Sequence, residues 1–375
     1  MRRRWATLLL ALVSASGAVV LVDIAMLLVH GPVRILEQFY EVDARFGYRM
    51  RPNAEFTFAN PYHGYSARVR TNTRGLRDDA FRVPKPQGVF RIVLLGDSMT
   101  AGLEVNKNET FESVCERRLR VHGNVEIINA GVRGYNLDNI LRYFEHEGAS
   151  FAPDVVVYLF VCNDLTSSTV SAPEPFDRSR GYTVRGALGR LARYSHVAFR
   201  LLYVRQMVQL RRERDRDATP VRQVSVPDGL YEMLRNPDYC SGVAYGPTAI
   251  RIAKLATLSE AAGADFLLVG TPHRVEIDPR AQAWWTRYLA RDGVRLDFDG
   301  VRSYLDWVAT QGRLQRLDPV PEYRALWQED HTYWFHKDDH LNVLGHALLG
   351  NQLADHFERT LRFQEWRRTS GVSTH

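Results

Sequence analysis

The segment RIVLLGDSMTAG, residues 91–102, carries the most informative pattern in the chain. Residues 91–95 form an apolar, partly β-branched run, and the turn Gly96-Asp97-Ser98 ends it abruptly. This pattern predicts a buried strand followed by a tight turn that carries a serine. Open α/β sheets bind ligands at the carboxyl ends of their strands, which is where the turn would place the hydroxyl of Ser98. That hydroxyl becomes a useful nucleophile if a histidine takes its proton and N–H groups stabilise the oxyanion.

Three further segments of the chain offer such partners. NAGVRG at 129–134 follows the apolar run 125–128, and VCND at 161–164 follows the run 155–160. DDHLN at 338–342 lies near the C-terminus and precedes a pattern typical of a helix. A Gly-Asp-Ser tripeptide alone is an ordinary turn sequence, so the functional interpretation depends on the four segments together.

In this order the four segments resemble those of the SGNH hydrolases, also called GDSL-type hydrolases. The phrases YRMRPN at 48–53 and TNTRGLR at 71–77 resemble those that precede the Gly-Asp-Ser segment in a membrane-anchored bacterial branch of the family. The resemblance covers the neighbourhoods of residues 90–165 and 334–355. It implies that Ser98 is the nucleophile of an esterase. It also implies that His340 is the base that deprotonates Ser98 and later protonates the leaving group.

The acid that orients His340 departs from the usual family spacing. Members of the family generally carry an aspartate three residues before the histidine, where this chain has Lys337. Asp338 matches the Asp-x-His variant that is found in exopolysaccharide O-acetyltransferases of the same superfamily. We therefore assign Asp338 as the acid, with Asp339 as the alternative.

The resemblance also implies which groups hold the oxyanion. These are the backbone N–H of Ser98, the backbone N–H of Gly134 and the side-chain amide of Asn163. Glycine suits the second place because it has no Cβ to obstruct a close approach. Gly131 is the alternative to Gly134, but the matching segment puts the donor five residues after Asn129.

Two aspartates next to these residues have a supporting role in this interpretation. Asp97 and Asp164 are predicted to be hydrogen-bond acceptors that fix the loops of Ser98 and Asn163, not catalytic acids. The histidines and aspartates near His340, including His346, lack the spacing of a known metal site. We therefore expect no metal and no cofactor.

From residue 90 onward, predicted strands alternate with predicted helices. Strands are expected at 154–160 and 265–269, and helices at 109–121, 137–147 and 249–262. This alternation predicts a mainly parallel sheet that is covered on both faces. The fold class is therefore α/β, a three-layer α/β/α sandwich of the SGNH or flavodoxin-like type.

Residues 1–30 are predicted to be an N-terminal transmembrane anchor. MRRR precedes an apolar stretch at 5–29, which only Asp23 interrupts and which is long enough to cross a bilayer. The arginines before this stretch predict that the rest of the chain lies outside the cytoplasm. The expected location is the bacterial inner membrane, as a single-pass protein. A cleaved signal peptide with small residues at 16–18 is the alternative.

The remaining chain divides into three predicted parts. Residues 31–87 form a juxtamembrane extension with short strands near 55–59 and 67–69, which either packs on the main domain or forms a lip over the active site. Residues 88–365 form the hydrolase domain, with a helical insertion at about 165–245 that contains a basic amphipathic pattern at 188–210. Residues 366–375 form a polar tail.

The composition is that of a globular protein. Apolar residues make up 45% of the 375 residues and charged residues 25%, which excludes wholesale disorder. The net charge of +6 would suit anionic lipid or acidic polysaccharide, or a solvated arginine-rich surface, and no nucleic-acid motif accompanies it. The three cysteines lack the spacing of a zinc site, and their odd number argues against a disulfide framework.

Three functions are compatible with this pattern. The first is a serine esterase that cleaves acyl or acetyl esters of an envelope glycan or lipid through a covalent acyl-serine intermediate. The second is an O-acyltransferase or O-acetyltransferase of an exported polysaccharide, which would use the same residues. The third is a glycan-binding or scaffold module without catalysis. The presence of Ser98, Gly134, Asn163 and His340 speaks against the third.

Overall fold

The computed structural model describes most of the chain outside the predicted insertion. The described residues are 2–30, 39–60, 63–165, 195, 197, 234, 246–289, 296–328, 332–335 and 338–369. The insertion predicted at about 165–245 therefore lies almost entirely outside the described residues. The chain divides into two compact units, which are Met1–Tyr40 with Glu174–Pro220, and Glu41–Pro173 with Val221–His375.

The described part of the first unit is mainly one helix, α1, at Arg2–His30. Asp23 of α1 accepts hydrogen bonds from the hydroxyl of Ser195 and, at 2.9 Å, from the backbone N–H of Val197. Within the described part of the chain, no helix combines the length and the apolar character that a membrane span needs. The structure therefore does not support the transmembrane anchor predicted for residues 1–30.

The second unit is built on a five-stranded sheet of β5 Phe90–Leu95, β6 Val125–Asn129, β7 Val155–Phe160, β8 Asp265–Gly270 and β9 Gln315–Leu317. Their order across the sheet is β6-β5-β7-β8-β9, and all neighbours are parallel. Numbered within this sheet the order is 2-1-3-4-5, which is typical of flavodoxin-like folds. In the register, Ile92 of β5 lies between Ile127 of β6 and Val155 of β7.

Helices cover both faces of this sheet. Every residue of β5 and β7 is buried, as expected for a central strand with a layer on either side. Phe90, Ile92 and Leu94 belong to a core cluster that includes Phe111 of α3 and Leu349 of α10. The helices of this unit are α2 Ser98–Ala101, α3 Phe111–Leu119, α4 Leu137–His146, α5 Gly246–Ala261, α6 Arg274–Ile277, α7 Pro279–Leu289, α8 Gly300–Gly312, α9 Val320–Ala325, α10 Val343–Arg359 and α11 Leu361–Thr369.

Four short strands precede the sheet. β1 Tyr40–Asp43 pairs with β2 Gly47–Met50, and β3 Glu55–Asn60 pairs with β4 Tyr65–Arg70. β3 and β4 are antiparallel, and alternate residues of β4 are buried. This alternation is typical of a strand with one face on a core and the other in solvent. The short strands expected near 55–59 and 67–69 therefore lie in β3 and β4.

The C-terminal end differs from the sequence-based expectation. Residues 366–369, which were assigned to a polar tail, continue helix α11. The reason is Trp366, whose ring lies 5.3 Å from that of Phe90 and whose indole N–H donates to the carbonyl of Gly88 at 3.0 Å. One aromatic side chain within a polar sequence thus keeps this segment on the domain.

Candidate active site

Ser98 lies at the carboxyl end of β5, on a turn with almost no free space. A Cβ on Gly96 would lie 2.0 Å from the hydroxyl oxygen of Thr100, so only glycine fits there. Ser98 is the first residue of α2, and Asp97 caps this helix by accepting a hydrogen bond from Met99 N at 2.9 Å. The chain therefore enters the helix sharply and presents the serine at the sheet edge.

The loop before α10 brings an imidazole and a carboxylate to this serine. Nε2 of His340 lies 2.9 Å from Oγ of Ser98, and Nδ1 of His340 lies 2.6 Å from Oδ1 of Asp338. Oδ1 of Asp338 also accepts the backbone N–H of His340 at 2.9 Å. Ser98, His340 and Asp338 thus form a continuous chain of hydrogen-bonding contacts.

The electrostatics of the two aspartates differ. Burial would raise the pKa of Asp338, but the hydrogen bond and the charge of His340 outweigh it and lower that pKa to about 2. The pKa of Asp339 is raised to about 6, because that carboxyl is buried beside Asp338. Burial acts to lower the pKa of His340, yet the charge of Glu104 and the bond to Asp338 raise it overall. Asp338, and not Asp339, is therefore the carboxylate that faces the imidazole.

The two candidate glycines of the second segment have different environments. The N–H of Gly131 donates to the side-chain oxygen of Asn129 at 3.0 Å, and a Cβ on Gly131 would clash with Thr100 and Ala101. Gly134 has φ = +82°, which glycine adopts without strain. The N–H of Gly131 is therefore already engaged, and Gly134 stays the predicted oxyanion donor.

Asn163 and the neighbouring aspartates are joined by hydrogen bonds. Nδ2 of Asn163 donates to Oδ2 of Asp97 at 3.0 Å, which holds the amide beside the residue that precedes Ser98. Asp164 accepts the hydroxyl of Tyr158 at 2.7 Å and the N–H of Val161 at 3.3 Å, and burial raises the pKa of Asp164 to about 8. Asp97 and Asp164 therefore accept hydrogen bonds from the loops of Ser98 and Asn163.

Glu104 is a site residue that the sequence reasoning missed. Its side chain is 1% exposed, and its Oε1 lies 3.6 Å from Nε2 of His340. The same oxygen forms an ion pair with Nη1 of Arg133 at 2.8 Å. The sequence around Glu104 carries no motif, so only the three-dimensional structure reveals its place beside His340.

The strands that precede the sheet also reach the site. The hydroxyl of Tyr48 donates to the carbonyl of Arg133 at 3.0 Å, next to Gly134. The guanidinium carbon of Arg133 lies 5.4 Å from the ring centre of Phe58. Nδ1 of His63 lies 3.9 Å from Oδ2 of Asp338. Tyr48, Phe58 and His63 thus lie beside residues of the site, and the role of residues 31–87 as a lip over the active site stays a prediction.

Arg77 supports the serine turn from behind. Its side chain is 2% exposed and donates to the carbonyl of Ala101 at 3.0 Å, and to the carbonyls of Gly102 and Val105. Carbonyl groups at a helix C-terminus lack partners within the helix, so a buried guanidinium satisfies several at once. Arg77 therefore ties the segment before β5 to the helix that starts with Ser98.

Other polar groups have structural environments. His273 is buried with Nε2 3.1 Å from Sγ of Cys162, and burial lowers the pKa of this histidine to about 4. His346 accepts the N–H of Phe111 at 3.1 Å inside the core. In the described ranges, no group of three or more His, Cys, Asp or Glu residues could hold a metal ion. An open cleft of about 590 Å³ is lined by residues 73–74 and 81–86 and contains none of the site residues.

Comparison with known proteins gives two kinds of match. The sequence profile described as "GDSL-like Lipase/Acylhydrolase family" matches residues 94–348. No curated protein sequence matches the chain. The profile match contains Ser98, Gly134, Asn163 and His340, and it begins after the short strands and Arg77.

Solved structures with similarity to the chain include three bacterial or environmental enzymes. A lipase/acylhydrolase from Enterococcus faecalis is 14% identical, with 72% of this chain and 95% of that chain covered and a TM-score of 0.38. A catalytic mutant of Axe2, an acetylxylan esterase from Geobacillus stearothermophilus, is 12% identical, with coverages of 71% and 93% and a TM-score of 0.38. LAE5, an alpha/beta hydrolase from the metagenome of Lake Arreo in Spain, is 13% identical, with coverages of 73% and 95% and a TM-score of 0.38.

Proposed function

Because the chain belongs to the GDSL-like lipase/acylhydrolase family, the SGNH hydrolases, and is a hydrolase that acts on ester bonds, we propose that it is a serine esterase with a covalent acyl-serine intermediate. The observation that carries this proposal is the contact chain from Ser98 Oγ to His340 Nε2 at 2.9 Å and from His340 Nδ1 to Asp338 at 2.6 Å. A serine, a histidine and a carboxylate in this arrangement can activate the hydroxyl for attack on an acyl carbon.

In the first half of the reaction, Oγ of Ser98 attacks the carbonyl carbon of the ester while Nε2 of His340 takes its proton. The imidazolium that forms is stabilised by Asp338, whose lowered pKa keeps it ionised in the working pH range. His340 then donates the proton to the departing alcohol oxygen, and the acyl group stays on Ser98. Each proton therefore passes through a nitrogen already in contact with Ser98.

The negative charge on the carbonyl oxygen needs N–H donors. We assign this role to the backbone N–H groups of Ser98 and Gly134 and to the side-chain amide of Asn163. The bond from Asn163 to Asp97 supports the assignment, because it holds the amide beside the serine turn. Loss of one such donor typically reduces kcat by a factor of about 10² to 10³.

In the second half, water attacks the acyl group and the carboxylic acid leaves. The substrate proposed from the sequence, an acyl or acetyl ester of an envelope glycan or lipid, rests on the expected location and stays a prediction. An alcohol in place of water would give the acyltransferase that the sequence also allows.

The test uses the full-length chain with a fluorophosphonate probe and with p-nitrophenyl acetate. We expect covalent labelling and p-nitrophenol release, and we expect both to vanish in Ser98→Ala. The matched control is Ser150→Ala, since Ser150 is exposed and its hydroxyl bonds only locally to the carbonyl of Glu147 at 2.6 Å. Absence of labelling in the folded wild-type enzyme would contradict the proposal and favour a binding module.

A further inference from the structure

The side chain of Glu104 is a second carboxylate beside His340. It lies near Nε2, the ring nitrogen that exchanges a proton with Ser98. Asp338 serves Nδ1 of His340, whereas Oε1 of Glu104 lies 3.6 Å from Nε2, on the side where Ser98 also lies. This separation is too long for a direct hydrogen bond. The triad mechanism therefore does not explain why Glu104 is here.

The position of Glu104 is costly and well defined. A buried carboxylate is unfavourable unless a charge and hydrogen bonds compensate it. Arg133 supplies the compensation through Nη1 at 2.8 Å, and its guanidinium is fixed in turn over the ring of Phe58. Arg133, from the loop at 129–134, and Phe58 of β3 thus hold the carboxylate beside Nε2.

We propose that Glu104 makes the enzyme select water over alcohols as the acceptor of the acyl group from Ser98. The inference rests on the proposed acyl-serine function. For an oxygen atom about 2.8 Å from both Nε2 of His340 and Oε1 of Glu104, the angle Nε2–O–Oε1 would be roughly 80°. Water has two hydrogens at a similar angle, so it can donate to both acceptors at once.

An alcohol has only one hydroxyl hydrogen. It must give this hydrogen to His340 in order to attack, and it then leaves Glu104 facing the alkyl group of the acceptor. With water, the O–C bond to the acyl carbon forms as the bond from that carbon to Ser98 Oγ breaks. Nε2 takes one proton of the water and passes it to Oγ, while the second hydrogen stays on the product acid. Glu104 only accepts a hydrogen bond and is unchanged at the end.

The experiment measures how the acetyl-enzyme partitions between water and methanol. Full-length enzyme is given p-nitrophenyl acetate over a series of methanol concentrations, and acetate and methyl acetate are both quantified. We expect the wild-type acetyl-enzyme to react faster with water than with methanol when the rates are compared per molecule of acceptor. In Glu104→Leu the ratio of methyl acetate to acetate should rise roughly ten- to a hundredfold, because water loses one hydrogen bond to a charged group. Glu104→Gln keeps an acceptor oxygen and should show a smaller rise.

The product ratio is independent of how much enzyme is folded, since both products come from the same acetyl-enzyme. Glu276→Gln is the matched control, because Glu276 is also buried but caps His273 N at 3.0 Å, and it should leave the ratio unchanged. A Glu104→Leu ratio within twofold of the wild type would overturn the inference. The inference would also be overturned if the wild-type acetyl-enzyme reacted faster with methanol than with water, compared per molecule of acceptor. This result requires no variant. The proposed function fails separately, if Ser98→Ala is labelled and active like the wild type.

Discussion

The serine turn and the histidine loop contribute equally to the contact chain of the site but are built in different ways. Residues 99–101, which follow Ser98, are buried, and the side chain of Asn129 donates to the carbonyl of Thr100 at 2.8 Å. The loop with Asp338 and His340 is only partly buried. It is held mainly by its own short-range hydrogen bonds and by Arg274, which donates to the carbonyls of Phe335 at 2.7 Å and Asp338 at 3.1 Å.

This difference indicates how stability and activity are distributed over the site. The serine turn is part of the folding core, so changes to its support should act on the stability of the whole unit. Asp338 and His340 are themselves only partly buried, so changes to these two side chains should act on the reaction and leave the fold in place. Four measurements test this difference between the serine turn and the histidine loop.

The largest expected effect is that of Asp338→Asn. The imidazolium of His340 would lose its ionised partner, and we expect kcat to fall by roughly a thousandfold or more. Thermal unfolding should change little, because Asp338 lies on the loop. The comparison variant is Asp339→Asn, which should retain most of the activity since Asp339 does not contact the ring. Equal losses in the two variants would contradict the assignment of the acid.

Arg77→Met tests the serine turn. Three carbonyl groups would lose a buried donor, and we expect the free energy of unfolding to fall by about 3 kcal/mol. The measurement is chemical denaturation, followed by tryptophan fluorescence. Arg70→Met is a suitable control, because Arg70 is 75% exposed on β4 and should change stability by no more than about 0.5 kcal/mol. A stable but inactive Arg77→Met protein would contradict the view that support of the serine turn acts on stability.

Arg274→Gln tests the histidine loop. Without the guanidinium the loop should lie less well against Ser98, and we expect kcat to fall roughly tenfold through loss of alignment. KM and the midpoint of thermal unfolding should change much less. Arg287→Gln, at an exposed position on α7, is the control and should behave like the wild type. If stability fell in proportion to activity, the loop would belong to the folding core after all.

The smallest effect concerns pH. His340 must be neutral to accept the proton of Ser98, and its pKa is raised above the usual 6.5. We therefore expect kcat/KM to rise with pH through an apparent pKa above this value. In Glu104→Gln one of the charges that raise the pKa of His340 is removed, so the midpoint should move to lower pH. A profile with the same midpoint in both proteins would show that Glu104 does not act on the ring.

The sequence predicted most of what lies on the main sheet. The apolar runs that end at Leu95, at Ile128 and at Phe160 each become a buried strand within one residue of the predicted bounds. Such strands carry a dense local signal, because most of their side chains are apolar. The edge strand β9 was missed, since Gln315–Leu317 is short and polar and shows no pattern of its own.

The site was predicted only as far as the family segments extend. Ser98, His340 and Asp338 were found because a resemblance singled them out, and the structure brings them together. Glu104 and Arg77 were missed because their surroundings come from distant parts of the chain. A glutamate in an unremarkable loop gives no local sign that a histidine 236 positions later will lie beside it, as His340 does.

The contacts of Arg77 bear on where a shortened gene for this enzyme should start. A fragment that begins at residue 88 would encode Ser98, His340, Asp338 and every residue proposed to hold the oxyanion. It would nevertheless lack Arg77, whose guanidinium donates to the carbonyl of Ala101 at the end of α2, and Tyr48, whose hydroxyl donates to the carbonyl of Arg133. A version of the hydrolase unit that keeps these contacts therefore starts upstream of the match to its family, and the compact unit itself begins at Glu41.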